Sequence, residues 1–309
     1  MTTIQDTPPQ TLLTAIGEIV VGKPAQIRLA VACLLGRGHL LIEDVPGVGK
    51  TTLAQALAHA TGLSYQRVQF TSDLLPSDVL GVSVFDRERG GFVFHPGPVF
   101  AQLVLADEVN RATPRTQSAL LEAMEERQVT VDGQTHPLPE PFFVVATQNP
   151  QHQLGTFPLP ESQLDRFLMR ISLGYPDAQS ERALLAGRDR RESLRQLRPV
   201  LSPEALAGLQ RRAEAVHTAA PIIAYVQALL DHSRHSGAFR HGLSPRAGLA
   251  LLRAARAWAL LDDRAFVEPE DVQAVLGPVV GHRLAPRDES RFRDAGQVGQ
   301  HVLEAVPVP

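Results

Sequence analysis

The sequence predicts two parts, an α/β domain built on a parallel sheet and a smaller, all-α domain after it. Up to about residue 175, short apolar runs alternate with helical or looped stretches, an order typical of a parallel sheet covered by helices. Beyond Tyr175-Pro176-Asp177 the β-branched runs stop and Ala, Leu and Arg dominate. We therefore place the α/β domain at 1–175 and the helical domain, with a C-terminal tail, at 176–309.

Composition excludes several classes of protein. A length of 309 residues leaves room for two domains. The net charge of −3 gives no overall positive field toward nucleic acid, so we expect no nucleic-acid partner. The N-terminus does not resemble a signal peptide and no apolar run reaches the ~18 residues of a membrane span, so neither secretion nor membrane insertion is expected. Cys33 is the only cysteine, which suits a reducing, cytoplasmic location.

The helices and strands can be justified in order. Apolar residues recur at helical spacing from Leu12 to Leu35, and Gly22 and Pro24 interrupt them, which predicts two helices joined by a turn. Apolar runs predict five strands, at 40–42, 64–70, 103–106, 142–147 and 167–173. In the second domain, prolines in the first turn predict helix starts near Ser202, Ala220, Ser244 and Glu268. From Arg283 onward we expect a partly ordered tail.

Two β-hairpins are inserted into the first domain. Residues 82–94 alternate in hydrophobicity around Gly90-Gly91, and residues 128–136 do so around Asp132-Gly133. Neither hairpin could form a stable sheet alone. Each could cover the core or contact another molecule.

The octapeptide at 44–51 is the strongest functional signal. It reads Asp-Val-Pro-Gly-Val-Gly-Lys-Thr and lacks only the first glycine of the phosphate-binding pattern G-x-x-x-x-G-K-[ST]; Asp44 stands in its place and weakens the match only slightly. An apolar run precedes it and a helical run follows, which is the required context. Residues expected to bind the nucleotide phosphates are Gly47, Val48, Gly49, Lys50, Thr51 and Thr52. The Thr51 hydroxyl is also predicted to hold Mg²⁺, so the expected ligand is a nucleoside triphosphate with Mg²⁺.

Two further strand ends carry polar residues suited to hydrolysis. The run Leu103-Val-Leu-Ala ends in Asp107 and Glu108. Because alternate side chains leave a strand on opposite faces, the two acids can serve different purposes. Asp107 is predicted to face the Mg²⁺ shell through a water, and Glu108 to polarise the water that attacks the γ-phosphate. Asn149, after the strand at 142–147, could order that water or sense the γ-phosphate.

These motifs, followed by Leu164-Asp-Arg-Phe167, resemble those of the AAA+ ATPases, including their Walker A and Walker B motifs. Longer blocks resemble the MoxR family in particular. They are Leu41-Ile-Glu-Asp-Val-Pro-Gly-Val-Gly-Lys-Thr, Gln69-Phe-Thr-Ser-Asp-Leu-Leu-Pro-Ser-Asp78, Asp107-Glu-Val-Asn-Arg-Ala112, Gln117-Ser-Ala-Leu-Leu-Glu-Ala-Met-Glu-Glu-Arg-Gln-Val129, Ala146-Thr-Gln-Asn-Pro150 and Pro158-Leu-Pro-Glu-Ser-Gln-Leu-Asp-Arg-Phe167. The resemblance covers roughly residues 12 to 280.

The resemblance implies roles for residues that spacing alone would not single out. Arg166 is similar to the arginine finger, which in ring-forming relatives reaches the nucleotide of the neighbouring subunit. Arg246 resembles the second sensor on the helical lid, and Asn149 the first sensor. Val21 and Gly22 match the position where AAA+ proteins pack the adenine. Both hairpins would project toward the centre of a ring, which is expected to be a hexamer.

The function that the resemblance implies is chaperone-like: ATP hydrolysis that remodels or activates a partner protein, often one with a von Willebrand factor A-type domain. Three alternatives remain open on the sequence. One is a metal-chelatase-type motor subunit with the same ATPase architecture, and another is a nucleic-acid-dependent AAA+ motor. The last is a nucleotide-dependent switch with negligible turnover. The sequence also leaves open whether Arg166 and Arg246 act in their own subunit or in a neighbour.

Overall fold

The computed structural model describes residues 7–88, 90–149, 155–186, 190–288, 292 and 295–308. Arg89 of the first hairpin and Pro150 of the motif at 146–150 lie outside the described residues. Within the described ranges, no helix is both long and apolar enough to cross a membrane.

The first part of the chain alternates strands and helices. Its elements are α1 (Pro8–Ile19), α2 (Pro24–Leu35), β1 (Leu40–Glu43), α3 (Lys50–Thr61), β2 (Tyr65–Gln69), α4 (Pro76–Leu80), β3 (Gly81–Asp86), β4 (Gly91–Pro96), β5 (Leu103–Asp107), α5 (Pro114–Glu126), β6 (Gln128–Val131), β7 (Gln134–Pro137), β8 (Phe143–Gln148), α6 (Glu161–Leu164) and β9 (Met169–Ile171), with short 3₁₀ helices at Pro98–Phe100 and Val109–Arg111. The elements that follow are α7 (Ala178–Ala186), α8 (Arg190–Gln196), α9 (Pro203–Ala215), α10 (Ala220–His235), α11 (Pro245–Leu261), α12 (Pro269–Val280) and α13 (Ala295–Ala305).

Five strands form one parallel sheet in the order β2-β5-β8-β1-β9. They fall at the five apolar runs, and the α/β fold class with an all-α lid is confirmed. Every carboxyl end lies at one edge of the sheet, the carboxyl edge, and every amino end lies at the opposite, amino edge. Because loops at the carboxyl ends of parallel strands usually form the ligand site, this arrangement gathers the predicted site residues that follow β1, β5 and β8.

Both predicted hairpins are present and they touch each other. β3 pairs with β4 and β6 pairs with β7, each antiparallel. The Phe94 ring stacks on the His136 ring with centroids 4.0 Å apart, which joins the two hairpins. The rings of Phe85 and Phe92 instead form an edge-to-face pair. Phe85 is 53% exposed and Phe92 is 75% exposed. The first hairpin therefore has one packed aromatic side chain and two that face solvent.

Helices α9 to α12 of the second part begin where prolines predicted them, and the segment after Arg283 contains a further helix, α13. The Ser202 and Ser244 side chains accept hydrogen bonds from the backbone at the starts of α9 and α11. The partly ordered tail expected from Arg283 includes one regular element, α13, where Val298 and Val302 are buried. These valines stand four residues apart on one helical face, a spacing that the charged residues before them obscured.

Candidate nucleotide-binding and hydrolysis site

The loop between β1 and α3 has the backbone of a phosphate cradle. Gly47 and Gly49 have φ angles of 86° and 98°, in the left-handed region that favours glycine. Gly49 is the N-cap of α3 and has no side chain with which to cap it, and among the described residues no side chain accepts a hydrogen bond from the N–H groups of that helix end. Unpaired N–H groups and the positive end of the helix dipole both favour an anion at this position.

Lys50 lies where the loop meets β8. Its Nζ donates to the Asp44 carbonyl oxygen at 2.6 Å and to Asn149 Oδ1 at 3.2 Å. Burial lowers the pKa of Lys50, while the nearby acids, Asp44 first, act in the opposite direction. The structure therefore brings together two predicted residues that stand far apart in the sequence, a cation for phosphate and an amide beside it.

Thr147 connects the two acids at the end of β5. Its hydroxyl donates to Asp107 Oδ1 at 2.6 Å and accepts from the Glu108 N–H at 2.9 Å. Glu108 lies just past the strand with a φ of 56°, so this left-handed turn, rather than simple strand alternation, separates the two carboxylates. Asn149 Nδ2 donates to Glu108 Oε1 at 3.3 Å. Lys50, Asn149 and Glu108 are thus linked in one chain of contacts.

Residues from the edge strand β2 complete the surroundings of these acids. Arg67 donates through Nε and Nη2 to Asp107 Oδ2, at 3.1 and 2.7 Å. Gln69 Nε2 donates to Glu108 Oε2 at 3.1 Å, and Arg111 Nε approaches the same oxygen at 3.1 Å. Sequence analysis missed Arg67 and the role of Gln69. Polar residues at alternate positions of β2 were the available signal, but the pairing of β2 with β5 was needed to interpret it.

These groups line a cleft of about 320 Å³, which we name the phosphate cleft. Its lining residues are Pro46, Gly47, Gly49, Lys50, Thr51, Thr52, Asp107, Glu108 and Asn149. The predicted residues outside that lining are Val21, Gly22, Val48, Arg166 and Arg246. A hydroxyl and a carboxylate in one cleft fit Mg²⁺, which takes few protein ligands beside phosphate and water. Among the described residues, no group of three or more His, Cys, Asp or Glu side chains is placed to hold a metal ion without ligands from phosphate or water.

Asp44, which replaces the usual glycine, anchors the loop. It is buried, and its Oδ2 accepts from Ser172 Oγ at 2.8 Å and from the Gly174 N–H at 2.6 Å. Its Oδ1 accepts from the Val45 N–H at 2.8 Å. The carboxylate therefore joins the start of the phosphate loop to the segment that follows β9. Asp44 is thus more than a slight departure from the phosphate-loop pattern, because it contributes three hydrogen bonds.

Restoring the usual glycine with Asp44→Gly is expected to destabilise the protein and weaken ATP binding. Each bond to a buried carboxylate contributes about 1.5–3 kcal/mol, so the loss of three should lower the free energy of unfolding by at least about 3 kcal/mol. Ser172→Ala, which removes only one of the three bonds, is the matched control and should cause a smaller loss. Urea unfolding and an ATP titration measure both effects, and equal stability of Asp44→Gly and the parent protein would contradict the assigned role.

The two predicted arginines lie far from the phosphate cleft of their own chain. Arg166 precedes β9, whose first residue Met169 pairs with Leu40 at the start of β1, whereas Lys50 follows the end of β1. Since β1 alone spans about 13 Å at ~3.3 Å per residue, Arg166 and Lys50 lie at opposite edges of the sheet. Arg166 Nε and Arg246 Nη1 both contact the Glu125 carboxylate at 2.9 Å. The structure thus brings these arginines together, at the amino edge.

The turn that contains Val21 and Gly22 packs against the segment leading out of the sheet. A Cβ on Gly22 would lie 2.2 Å from Ser180 Oγ, and Lys23 Nζ donates to the Tyr175 carbonyl oxygen at 2.6 Å. This contact explains why the position requires glycine. The adenine-packing role of Val21 and Gly22 stays a prediction.

Comparison with known proteins adds independent information. Residues 39–169 match the family described as "ATPase family associated with various cellular activities (AAA)", and residues 231–302 match the AAA lid domain. A crystal structure of a proposed ATPase from Cytophaga hutchinsonii superimposes with a TM-score of 0.87 at 34% identity, over 98% of this chain and 95% of that one. The fold and the phosphate cleft therefore define an AAA-type ATPase with its lid.

Similarity to individual proteins narrows the class. The chain is 44% identical to the uncharacterized protein YeaC of Bacillus subtilis over 95% of this chain and 92% of that one. It is 40% identical to chaperone MoxR1 of Mycobacterium tuberculosis over 87% and 73%, and 36% identical to protein MoxR of Paracoccus denitrificans over 90% and 89%. The chain belongs to the MoxR family of AAA+ ATPases, as the sequence motifs predicted.

Proposed function

We propose that this protein binds ATP with Mg²⁺ in the phosphate cleft and hydrolyses it. The meeting of Lys50, Asn149 and Glu108 carries this proposal, because it sets a cation for phosphate, an amide and a carboxylate within hydrogen-bonding reach of one another. The N–H groups at the start of α3 and the Lys50 ammonium would bind the phosphates, since both present positive charge to the same cleft.

Glu108 is the group that acts on water in this scheme. Its carboxylate would orient the attacking water and accept its proton, while Asn149 would help to hold that water in line with the γ-phosphate. Gln69 and Arg111 restrain the other carboxylate oxygen. Thr51 and Asp107 would hold Mg²⁺, the latter through a water, and a bound Mg²⁺ ion neutralises charge on the phosphate oxygens.

We further propose that hydrolysis needs a second subunit. Arg166 and Arg246 lie at the edge of the sheet opposite the phosphate cleft, so in their own chain they are too distant to contact the nucleotide. In a ring, the amino edge of one subunit can face the cleft of the next, and both arginines would then supply positive charge to the neighbour's phosphates. A heterologous contact of this kind forms a closed ring when its rotation divides a full turn, as in the hexamer that the family resemblance implies.

ATP hydrolysis would drive chaperone-like remodelling of a partner protein, with a von Willebrand factor A-type domain as the partner that the family resemblance favours. One relative is named a chaperone. The exposed Phe85 and Phe92 pair on the first hairpin supports contact with an apolar partner surface, because adjoining exposed apolar groups form the kind of patch that marks interaction sites.

The experiment that tests hydrolysis by a ring is a concentration series. Phosphate release per subunit should rise with protein concentration and level off where mass measurement shows complete rings, and it should require Mg²⁺. Activity that is independent of concentration would count against shared sites. ATP binding without turnover at any concentration would instead favour the nucleotide-dependent switch.

The hairpin hypothesis predicts different results for its two aromatic positions. Phe92→Ser should leave basal hydrolysis unchanged and shift stability by no more than about 0.5 kcal/mol, since Phe92 is exposed. Stimulation of hydrolysis by casein, used as an unfolded polypeptide, should be lost. The matched control Phe94→Ser breaks the stack on His136 and should cost about 2 kcal/mol of stability. If Phe92→Ser responds to casein as the parent does, this hairpin does not bind clients.

A further inference from the structure

One carboxylate joins the two arginines that the proposed function assigns to the neighbouring subunit. Glu125 Oε2 contacts Arg166 Nε, and Glu125 Oε1 contacts Arg246 Nη1, each at 2.9 Å. Arg166 comes from the segment before β9, whereas Arg246 lies in the first turn of α11. Two guanidinium groups repel each other, so a shared anion favours their proximity. Asp165 Oδ2 lies 3.6 Å from Arg246 Nε and adds a longer contact to that arginine, whereas Glu125 contacts both.

The position of Glu125 in its helix is unfavourable for helix stability. Glu125 stands in the last turn of α5, and that last turn contains no basic residue. The carboxyl end of a helix carries partial negative charge and disfavours an acid. Helix stability therefore favours neither Glu125 nor its neighbour Glu126, and of these two acids only Glu125 has arginine partners among the described residues.

The terminal nitrogens of the Arg166 guanidinium group are available to contact a phosphate. Arg166 contacts Glu125 through Nε, and in the described part of the chain its terminal nitrogens Nη1 and Nη2 donate no hydrogen bond. These terminal nitrogens are the donors that contact phosphate oxygens in pairs. The side chains of Arg166 and Arg246 are 28% and 52% accessible, so a neighbouring molecule can reach them.

The backbone around Arg166 is fixed separately by Arg283, whose side chain is only 6% accessible. Its Nη2 donates to the carbonyl oxygens of Asp165 and Phe167, at 3.1 and 2.7 Å, and its Nε contacts Asp165 Oδ1 at 2.6 Å. The residues on either side of Arg166 are therefore held in place. What remains for Glu125 to set is the direction of the Arg166 side chain.

We propose that Glu125 is a positioning residue for ATP hydrolysis, which holds Arg166 and Arg246 as a pair directed at the nucleotide of the neighbouring subunit. This inference rests on the proposed action of both arginines between subunits. Glu125 lies at the amino edge and does not touch the nucleotide of its own chain. Because the two arginines are proposed to act on charge that develops in the transition state, loss of Glu125 should reduce turnover and leave ATP affinity intact.

Glu125→Gln tests the inference, because it removes the charge and keeps the size. We expect kcat at saturating ATP to fall about 10- to 100-fold, a typical effect of misplaced catalytic groups, with an unchanged Kd for ATP. Glu125→Asp, which keeps the charge, should recover part of the lost activity. Glu126→Gln is the matched control. Glu126 is the next acid of the same helical turn and has no ion pair among the described residues. This variant should behave as the parent protein does.

Several outcomes would overturn the positioning role. Unchanged kcat in Glu125→Gln would do so, as would parallel losses of kcat, ATP affinity and melting temperature, which indicate a purely structural ion pair. Failure of Glu125→Gln to form rings by mass measurement would assign Glu125 to the subunit contact itself. Arg166→Ala, measured alongside, distinguishes failure of the proposed action between subunits from failure of the positioning role. If Arg166→Ala retains full turnover, the action between subunits is rejected. If Arg166→Ala is inactive while Glu125→Gln is active, only the positioning role of Glu125 is rejected.

Discussion

Glu108→Gln is expected to bind ATP with nearly the affinity of the parent protein and to hydrolyse it at least about 100-fold more slowly. A positioned base contributes roughly 10²- to 10⁴-fold to such reactions, and the amide cannot accept the proton of the attacking water. Lys50 and the start of α3, which bind phosphate in the ground state, are unaltered by the substitution. Binding and chemistry should therefore separate.

The measurement requires both quantities from one preparation, a calorimetric ATP titration and the rate of phosphate release. Lys50→Ala provides the contrasting result, because it deletes a charge that meets the phosphates before reaction, and ATP affinity itself should fall. Turnover of Glu108→Gln close to that of the parent would remove Glu108 from the mechanism. Unchanged ATP affinity in Lys50→Ala would count against the phosphate-loop assignment.

Those parts of the site that depend on local sequence could be predicted. The phosphate loop, the acids after β5 and the amide after β8 each follow an apolar strand directly, so the chain itself places them at the ends of strands. The fold class then brings them together, because all strands of a parallel sheet end at the same edge. This is why Lys50, Glu108 and Asn149 could be selected before their contacts were known.

Residues whose role depends on contacts between distant segments could not be predicted in the same way. Arg67 reaches Asp107 only because β2 pairs with β5, and Asp44 bonds to Gly174 only because β9 lies beside β1. Neither strand pairing has a local signal. Glu125 is a similar case, because nothing in the sequence indicates that two arginines from different parts of the chain meet at the end of α5.

Arg166→Ala is expected to fold and to bind ATP, yet to hydrolyse it at least about 100-fold more slowly. An arginine supplied to a neighbouring site stabilises charge that develops in the transition state, and such groups contribute roughly 10³- to 10⁵-fold in related phosphoryl transfers. ATP affinity should change little because this stabilisation acts on charge that is absent from bound ATP and appears only in the transition state. The melting temperature and an ATP titration provide the controls for folding and binding.

Mixed rings decide whether this arginine serves a neighbour. A subunit with Arg166→Ala keeps its own Lys50 and Glu108, and a subunit with Glu108→Gln keeps its Arg166. In an equal mixture roughly a quarter of the interfaces should combine an intact cleft with an intact arginine, since each side of a heterologous interface comes from a different subunit. The mixture should therefore hydrolyse ATP faster than either variant alone. No recovery in rings that mass measurement shows to be mixed would mean that Arg166 acts only within its own subunit, as the ion-pair partner of Glu125.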